Sequence, residues 1–567
     1  MNIKHLISLA PSIAILIAGC SSATLTSAPR TSMPASTQHA EQASSIPTRV
    51  VAPTSALRAT AAPAATTAPA AKAAPIAIAA ELSPPDAGRI PLEPTAASSS
   101  PNGVTVERAP TATPIAESTF KDYGVNPFVE TSRDHLSTFG LDVDTASYVI
   151  AKGYLNQGML PAMESVRAEE YINAFNQDYP KPANVAFGIY ADGAPSPFQS
   201  DNSYLLRFGI QGYDVPDRER KPSALTFVID VSGSMADAGK LDMVKDALRV
   251  LVERLRSTDQ VAIAAFTTNA WVVLNPTAGS DQRTILNAID TLKPMNSTNV
   301  DAGLRVGYEL ANRMFSGALQ NRVILCSDGV ANTGTTDTST LVDMVRGYGE
   351  RGVMLTTVGV GMGTYNDVLL EQLADKGNGF YAYINSIDEA HKLFLERLTG
   401  TLQTIARDAK VQVDFNTDVV ARYRLIGYEN RAIADQDFRN NNVDAGEVGA
   451  GHSATALYAV ELKPNAEGRI ATVQLRWQDP NTRQVKEING NYNTSDLARS
   501  YEEASPRFQM AAAVAQFAEI LRQSPYVGNG GFGQLQRYAD QVGQLLPQDA
   551  EVQQFVELVS RANTIGR

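Results

Sequence analysis

The chain has 567 residues, a net charge of −12 and two cysteines. This length allows several domains, while the excess of acid excludes the broad basic face that a nucleic-acid partner requires. Two thiols exclude a disulfide framework, and after Cys20 no apolar run reaches the ~20 residues that a membrane-spanning helix needs.

Lys4 followed by an apolar run over residues 6–17 reads as a secretion signal. The run closes on Ile17-Ala18-Gly19-Cys20, which resembles the lipobox of bacterial lipoproteins. That resemblance implies cleavage before Cys20 and acylation of its sulfur and new amino terminus. Ser21 is similar to the sorting residue of Gram-negative lipoproteins sent to the outer membrane. Residues 1–20 are therefore expected to be a lipoprotein signal peptide. The mature chain is expected to hang by lipid from the cell membrane or outer membrane, facing the periplasm or the exterior. Residues 21–118 are mostly Ala, Pro, Thr and Ser, a composition that cannot bury enough apolar area to offset its ordering entropy. They are expected to be a disordered tether, with an r.m.s. span of about 55 Å for ~100 flexible residues.

Residues 119–220 are expected to form a flanking α+β region. Helical patterns cover residues 148–153 and 165–175, and Val185, Phe187 and Ile189 alternate, as do Leu206, Phe208 and Ile210. Asp142-Val143-Asp144-Thr145 partly matches the aspartate-nucleophile phosphatase pattern, but Ala146 fills the fifth place and the strand before it is weak. A structural turn is the expectation.

In residues 221–402, strand-like runs at 225–229, 261–266, 271–274, 322–326, 353–360 and 380–384 alternate with helical patterns. Such alternation predicts a mainly parallel sheet with helices on both faces. The short connection between 266 and 271 predicts one antiparallel hairpin strand at an edge. The first strand runs into Asp230-Val231-Ser232-Gly233-Ser234, ahead of a helical stripe of Leu241, Val244, Leu248, Leu251 and Leu255. A carboxylate and two hydroxyls thus sit in a strand-to-helix loop, where ligands bind in open α/β sheets. All-oxygen donors suit Mg²⁺, Mn²⁺ or Ca²⁺. Ser297-Thr298-Asn299 opens another helical pattern, and Ser327-Asp328-Gly329 closes a second apolar strand. Cys326 on that strand is expected to act as a small apolar side chain.

With these three segments the chain resembles the von Willebrand factor A domain and its metal-ion-dependent adhesion site. The resemblance implies five metal-site residues: Asp230, Ser232, Ser234, Thr298 and Asp328. It implies that the Ser and Thr hydroxyls bind Mg²⁺ (or Mn²⁺ or Ca²⁺) directly, that the carboxylates act directly or through water, and that a partner's Asp or Glu carboxylate completes the site. It also implies a last helix, here over 388–398, that moves in those members that switch. Asp301 and Asn332 lie near the motif and are expected to be solvated loop polarity.

Residues 403–504 alternate with a period of two, as at Val411, Val413 and Phe415 and again at Val473, Leu475 and Trp477. Strand-rich stretches on both sides predict a β-sandwich that carries the α/β domain as an insertion. Residues 505–567 carry three apolar helical stripes and are expected to form a small helical bundle. Gly528, Gly530 and Gly533 match G-x-G-x-x-G formally but lack a preceding strand, so a loop is expected. The runs 137–148 and 423–431 resemble bacterial lipoproteins built around an A domain, some of them loosely labelled calcium-activated chloride channel homologues. The leading expectation is a membrane-anchored, metal-dependent protein-binding module without enzymatic activity. The alternatives are a structural or channel-accessory envelope lipoprotein and, behind it, a metal-dependent hydrolase. Against hydrolysis, the five histidines are scattered and Gly451-His452-Ser453-Ala454 is no nucleophile elbow.

Overall fold

The computed structural model describes residues 120–183, 185–199, 203–216, 218–295, 298–329, 338–361, 366–397, 403–528 and 530–566. The signal sequence, Cys20 and the tether lie outside the described residues, as do Ser297, Asn332 and Leu398.

The chain first forms β1 (Val129–Glu130), β2 (Leu136–Gly140), α1 (Ala146–Asn156), α2 (Ala168–Asn173), β3 (Phe187–Pro195) and β4 (Ser203–Gly212). The helix expected over 165–175 is broken. A single 3₁₀ turn, Met163–Ser165, gives way to extended backbone at Val166 and Arg167 before α2 begins. The hydroxyl of Ser147 on α1 holds this break: it donates to Ser165 O (2.5 Å) and accepts from the Arg167 N–H (2.9 Å). Val185, expected on a strand, lies ahead of β3 and is 59% exposed.

The inserted domain follows as β5 (Ser223–Asp230), α3 (Lys240–Arg254), β6 (Gln260–Phe266), β7 (Ala270–Ala278), α4 (Gln282–Asp290), α5 (Val300–Met314), β8 (Gln320–Ser327), α6 (Thr338–Glu350), β9 (Val353–Val360), α7 (Asp367–Lys376), β10 (Tyr381–Ile384) and α8 (Ile387–His391). Its sheet order is β10-β9-β8-β5-β6-β7, parallel except for the β6–β7 hairpin, which puts β7 at an edge as expected. Every residue of β5, β8 and β9 is buried, as befits strands covered on both faces. One face packs against α3 and α4, the other against α5, α6 and α7. Cys326 is among the buried residues, and burial pushes its thiol up to about 12, so it is an inert core side chain. The single helix expected over 388–398 is instead α8 followed by a wider π-type stretch, Lys392–Arg397. The wider coil keeps the neighbouring side chains of Leu393 and Phe394 both buried against the sheet.

The chain then returns as β11 (Thr404–Phe415), β12 (Val420–Ile426), β13 (Gly446–Gly449), β14 (Ser453–Leu462), β15 (Arg469–Gln478) and β16 (Val485–Asn493). One sheet runs β1-β12-β14-β4-β3; the other runs β13-β11-β15-β16, with β2 also paired to β11. Each sheet thus combines strands from before and after the insertion. Their inner faces meet through the Phe415 and Tyr458 rings (centroids 5.2 Å apart) and the Phe187 and Trp477 rings (5.0 Å).

Three helices end the chain: α9 (Pro506–Leu521), α10 (Gly531–Leu545) and α11 (Ala550–Ile565). They pack on one another as a bundle, but its core is shared with the frame. α9 is buried on nearly every side, and the core continues through Tyr171 to Phe517 (6.3 Å) and Phe175 to Phe555 (5.7 Å) into α2 and the residues after it. Leu545, in the last turn of α10, is 43% exposed. Of the glycine triplet, Gly528 and Gly530 lie between α9 and α10, and Gly533 falls in the first turn of α10.

A buried cluster of charges joins the inserted domain to its frame. Arg431 reaches Asp142 (3.0 Å) and Asp144 (3.3 Å) of the frame and Asp375 (2.6 Å) of α7. Arg167 pairs with Asp367 (2.8 Å) and Glu371 (3.4 Å) of α7 and with Glu170. The Asp142–Asp144 turn is therefore committed to an arginine and to the Tyr381 N–H (3.2 Å). Acids outnumber arginines here. Glu169 is fully buried with neither carboxylate oxygen hydrogen-bonded by a side chain; burial, reinforced by Glu429 and Glu170, pushes it up to about 8. A carboxyl raised on folding contributes stability that is present below its unfolded value and lost as pH rises towards the folded one. The melting temperature should therefore fall between about pH 4.5 and pH 8. Glu169→Gln should flatten that slope in a series of thermal melts; an unchanged slope would show that Glu169 does not carry it.

Candidate metal centre

The carboxyl ends of β5 and β8 lie side by side, because their parallel register pairs Ile229 with Cys326. The register brings Ser327 next to Asp230: the Ser327 hydroxyl donates to Asp230 Oδ2 (2.7 Å) and accepts from the Gly329 N–H (3.1 Å). Asp230 Oδ1 accepts the Ser232 N–H (2.8 Å), which turns the chain sharply after the strand. The hydroxyls of Ser232 and Ser234 are then 3.0 Å apart. The backbone continues through a short helical turn to α3.

The third segment is tied to the same edge. The Val231 N–H donates to Phe266 O (3.0 Å), and Val231 O accepts the Met295 N–H (2.6 Å). Three residues later Thr298 is 4% exposed, and Asn299 caps α5, its Oδ1 accepting the Ala302 N–H (3.1 Å). The structure thus places all five expected residues at one end of one sheet. Asp230, Ser232, Thr298 and Asp328 are buried, and Ser234 is half-buried. Asp301 points elsewhere, into a pair with Arg305 (3.0 Å).

Burial pushes the Asp230 carboxyl up to about 6; the donors of Ser327 and Ser232 act against that push, and the charge of Asp328 adds to it. Asp328 holds one oxygen towards Lys240, whose Nζ lies 3.1 Å from Oδ2. Its other oxygen, Oδ1, is buried and has no hydrogen-bond partner among the described residues. A buried carboxylate oxygen without a donor, beside a second carboxylate and a set of hydroxyls, fits a hard dication. The donors that would hold it are the hydroxyls of Ser232, Ser234 and Thr298 and the carboxylates of Asp230 and Asp328.

Sequence reasoning missed two residues. Ser327 is a hydroxyl closing an apolar strand directly before the motif Asp. Lys240 falls four residues before Val244, on the apolar stripe of α3, where a lysine is out of place unless paired. Both signals were present in the pattern. Ser327→Ala should leave Asp230 Oδ2 and the Gly329 N–H without this partner and cost about 1–3 kcal/mol, read as a lowered urea midpoint with an unchanged slope.

The comparisons agree with this architecture. The family model described as von Willebrand factor type A domain matches residues 224–396. One described as von Willebrand factor matches residues 114–207, and one described as Uncharacterized protein YfbK, C-terminal, matches residues 400–565. The chain is similar to YfbK of Escherichia coli (strain K12), with 33% identity over 473 residues that cover 79% of this chain and 81% of that protein. It is also similar to inter-alpha-trypsin inhibitor heavy chain H3 of Homo sapiens, 26% identical over 298 residues, 48% of this chain and 32% of that one. Among solved structures, a von Willebrand factor type A protein from Catenulispora acidiphila aligns with a TM-score of 0.42 at 15% identity, covering 65% of this chain and 89% of that chain. By its match along most of YfbK, with a type A domain between the two flanking matches, the chain belongs to the YfbK family of von Willebrand factor A-domain proteins.

Proposed function

We propose that the chain is a lipid-anchored binding module that captures a carboxylate of a protein partner at a divalent cation. The unpartnered, buried Asp328 Oδ1 beside the Ser232–Ser234 hydroxyl pair carries this reading. Family membership supports it, since A domains of this kind resemble metal-dependent interaction modules. A bound Mg²⁺, Mn²⁺ or Ca²⁺ would supply positive charge that an outside Asp or Glu can complete. The protein's own part is to keep the donors in place. Ser327 fixes the Asp230 carboxylate, Asp230 fixes the Ser232 turn, and the link from Val231 to Met295 holds the Thr298 loop against that turn. We assign binding rather than catalysis because the donor set leaves charge for an incoming carboxylate to complete.

The anchor is Cys20, acylated after cleavage on its amino side, with residues 21–118 as the tether that presents the module at the cell envelope. The resemblance of the flanks to lipoproteins labelled calcium-activated chloride channel homologues supports an envelope location and assigns no conduction.

Three measurements test the reading. Asp230→Ala should weaken Mn²⁺ binding by at least about 10–100-fold, the scale on which even outer partners of a metal act, while the melt stays cooperative; unchanged affinity by calorimetry would refute the site. A pull-down from envelope extract should lose its specific partner when EDTA is added, and identical partners with and without EDTA would remove the metal from the interaction. Cys20→Ala should abolish incorporation of labelled palmitate and move the protein out of the membrane pellet. Retained label would place the lipid elsewhere.

A further inference from the structure

We propose that Lys240 sets the charge of the metal centre, so that the loaded site is left one positive charge in excess and selects a single carboxylate. This rests on the reading above and says why that site takes an anion.

Lys240 opens α3, and its side chain is 6% exposed. A lysine that buried is almost always paired, and this one lies 3.1 Å from Asp328 Oδ2. Its methylenes are walled in. Gly361 stands over them at φ +73°, and a Cβ there would come within 2.6–2.9 Å of Lys240 Cγ, Cδ and Cε. Gly361 is in turn held by its N–H to Ile384 O (2.8 Å). The ammonium is therefore a fixed part of the site, unlike a surface lysine that swings into solvent. It takes one oxygen of Asp328 and leaves the other, Oδ1, for the centre.

The charge count follows. Asp230 and Asp328 alone would cancel a divalent cation, and an incoming carboxylate would then bring surplus negative charge into a buried pocket. With the ammonium included, the loaded centre keeps one positive charge, which one carboxylate cancels. The nearby Asp301 and Arg305 cancel each other at 3.0 Å and leave the count unchanged. Because Asp230, Asp328 and Lys240 are all buried, salt screens them little and the count decides. Lys240 thus opposes the cation and favours the anion. A merely structural lysine would do neither in this opposed sense.

The test uses the purified full chain, Mn²⁺ alone, and acetate added to the Mn²⁺-loaded protein, followed by calorimetry and by water-proton relaxation. Lys240→Met should bind Mn²⁺ about tenfold more tightly, the effect of removing one like charge several Å away at a high effective dielectric. The same variant should lose the acetate-induced fall in relaxation that the natural chain shows. Lys240→Gln, which can still hydrogen-bond Asp328 without charge, should behave in the same way and serves if the methionine variant does not fold. If either folded variant binds acetate as the natural chain does, or binds Mn²⁺ more weakly, the assignment of Lys240 is overturned. If the natural chain binds no Mn²⁺ at all, the proposed function fails first, and the assignment with it.

Discussion

A carboxylate oxygen buried without a donor costs about 1–3 kcal/mol, and the carboxyl edge of the parallel sheet carries that cost at Asp328 Oδ1. The surrounding structure has the effect of keeping the oxygen in place. The parallel pairing of β5 with β8 sets Ser327 against Asp230, the Asp230 carboxylate turns the chain at Ser232, and a lysine buried under Gly361 pins the other oxygen of Asp328. None of these contacts satisfies Oδ1. A fold that only needed stability would have buried an apolar group or an asparagine with a partner there, so the frustration is local and belongs to the site.

Away from the centre, charge serves attachment. Arg431 and Arg167 each bridge the frame and α7 of the inserted domain. Buried ion pairs add little net stability over apolar packing, but breaking one leaves an uncompensated charge. They fix orientation more than they add energy. The inserted domain is thereby held at one angle to the sandwich, on the side of α7 and β10, while β7 with Trp271 stays at the far edge with 38% of that side chain exposed.

Much of this was legible in the pattern of the chain. The strands of the inserted domain were readable because fully buried parallel strands give continuous apolar runs such as Phe227-Val228-Ile229, ended by chemically distinct residues. The convergence of Asp230, Ser232, Ser234, Thr298 and Asp328 on one sheet end could be anticipated because three separated segments together match a pattern that a resemblance could recognise. Other features were hidden for physical reasons. The break at Val166 and Arg167 depends on Ser147 and on carboxylates some 200 residues away, which no local pattern encodes. The shared core of α9 with α2 was missed because a helix buried on all sides shows no polar face to orient it. The π-type stretch after α8 left no trace in the spacing of Leu393 and Phe394. Ser327 and Lys240 were visible as exceptions, a hydroxyl and an ammonium in otherwise apolar settings, but exceptions announce a role only when their partners are known.

The chain enters and leaves the inserted domain at neighbouring points. The Lys221 N–H, just ahead of β5, donates to the side chain of Gln403, just ahead of β11 (3.2 Å), so the outgoing and returning segments run close together. The sandwich therefore sees the whole insertion as a closed loop whose ends already meet. Lengthening such a loop costs only about 0.6 kcal/mol for each doubling. The strand pairing of the frame is therefore insensitive to the length of the insertion, whereas Arg167, Arg431 and the buried face of α1 are matched to this particular domain and would lose their partners with any other.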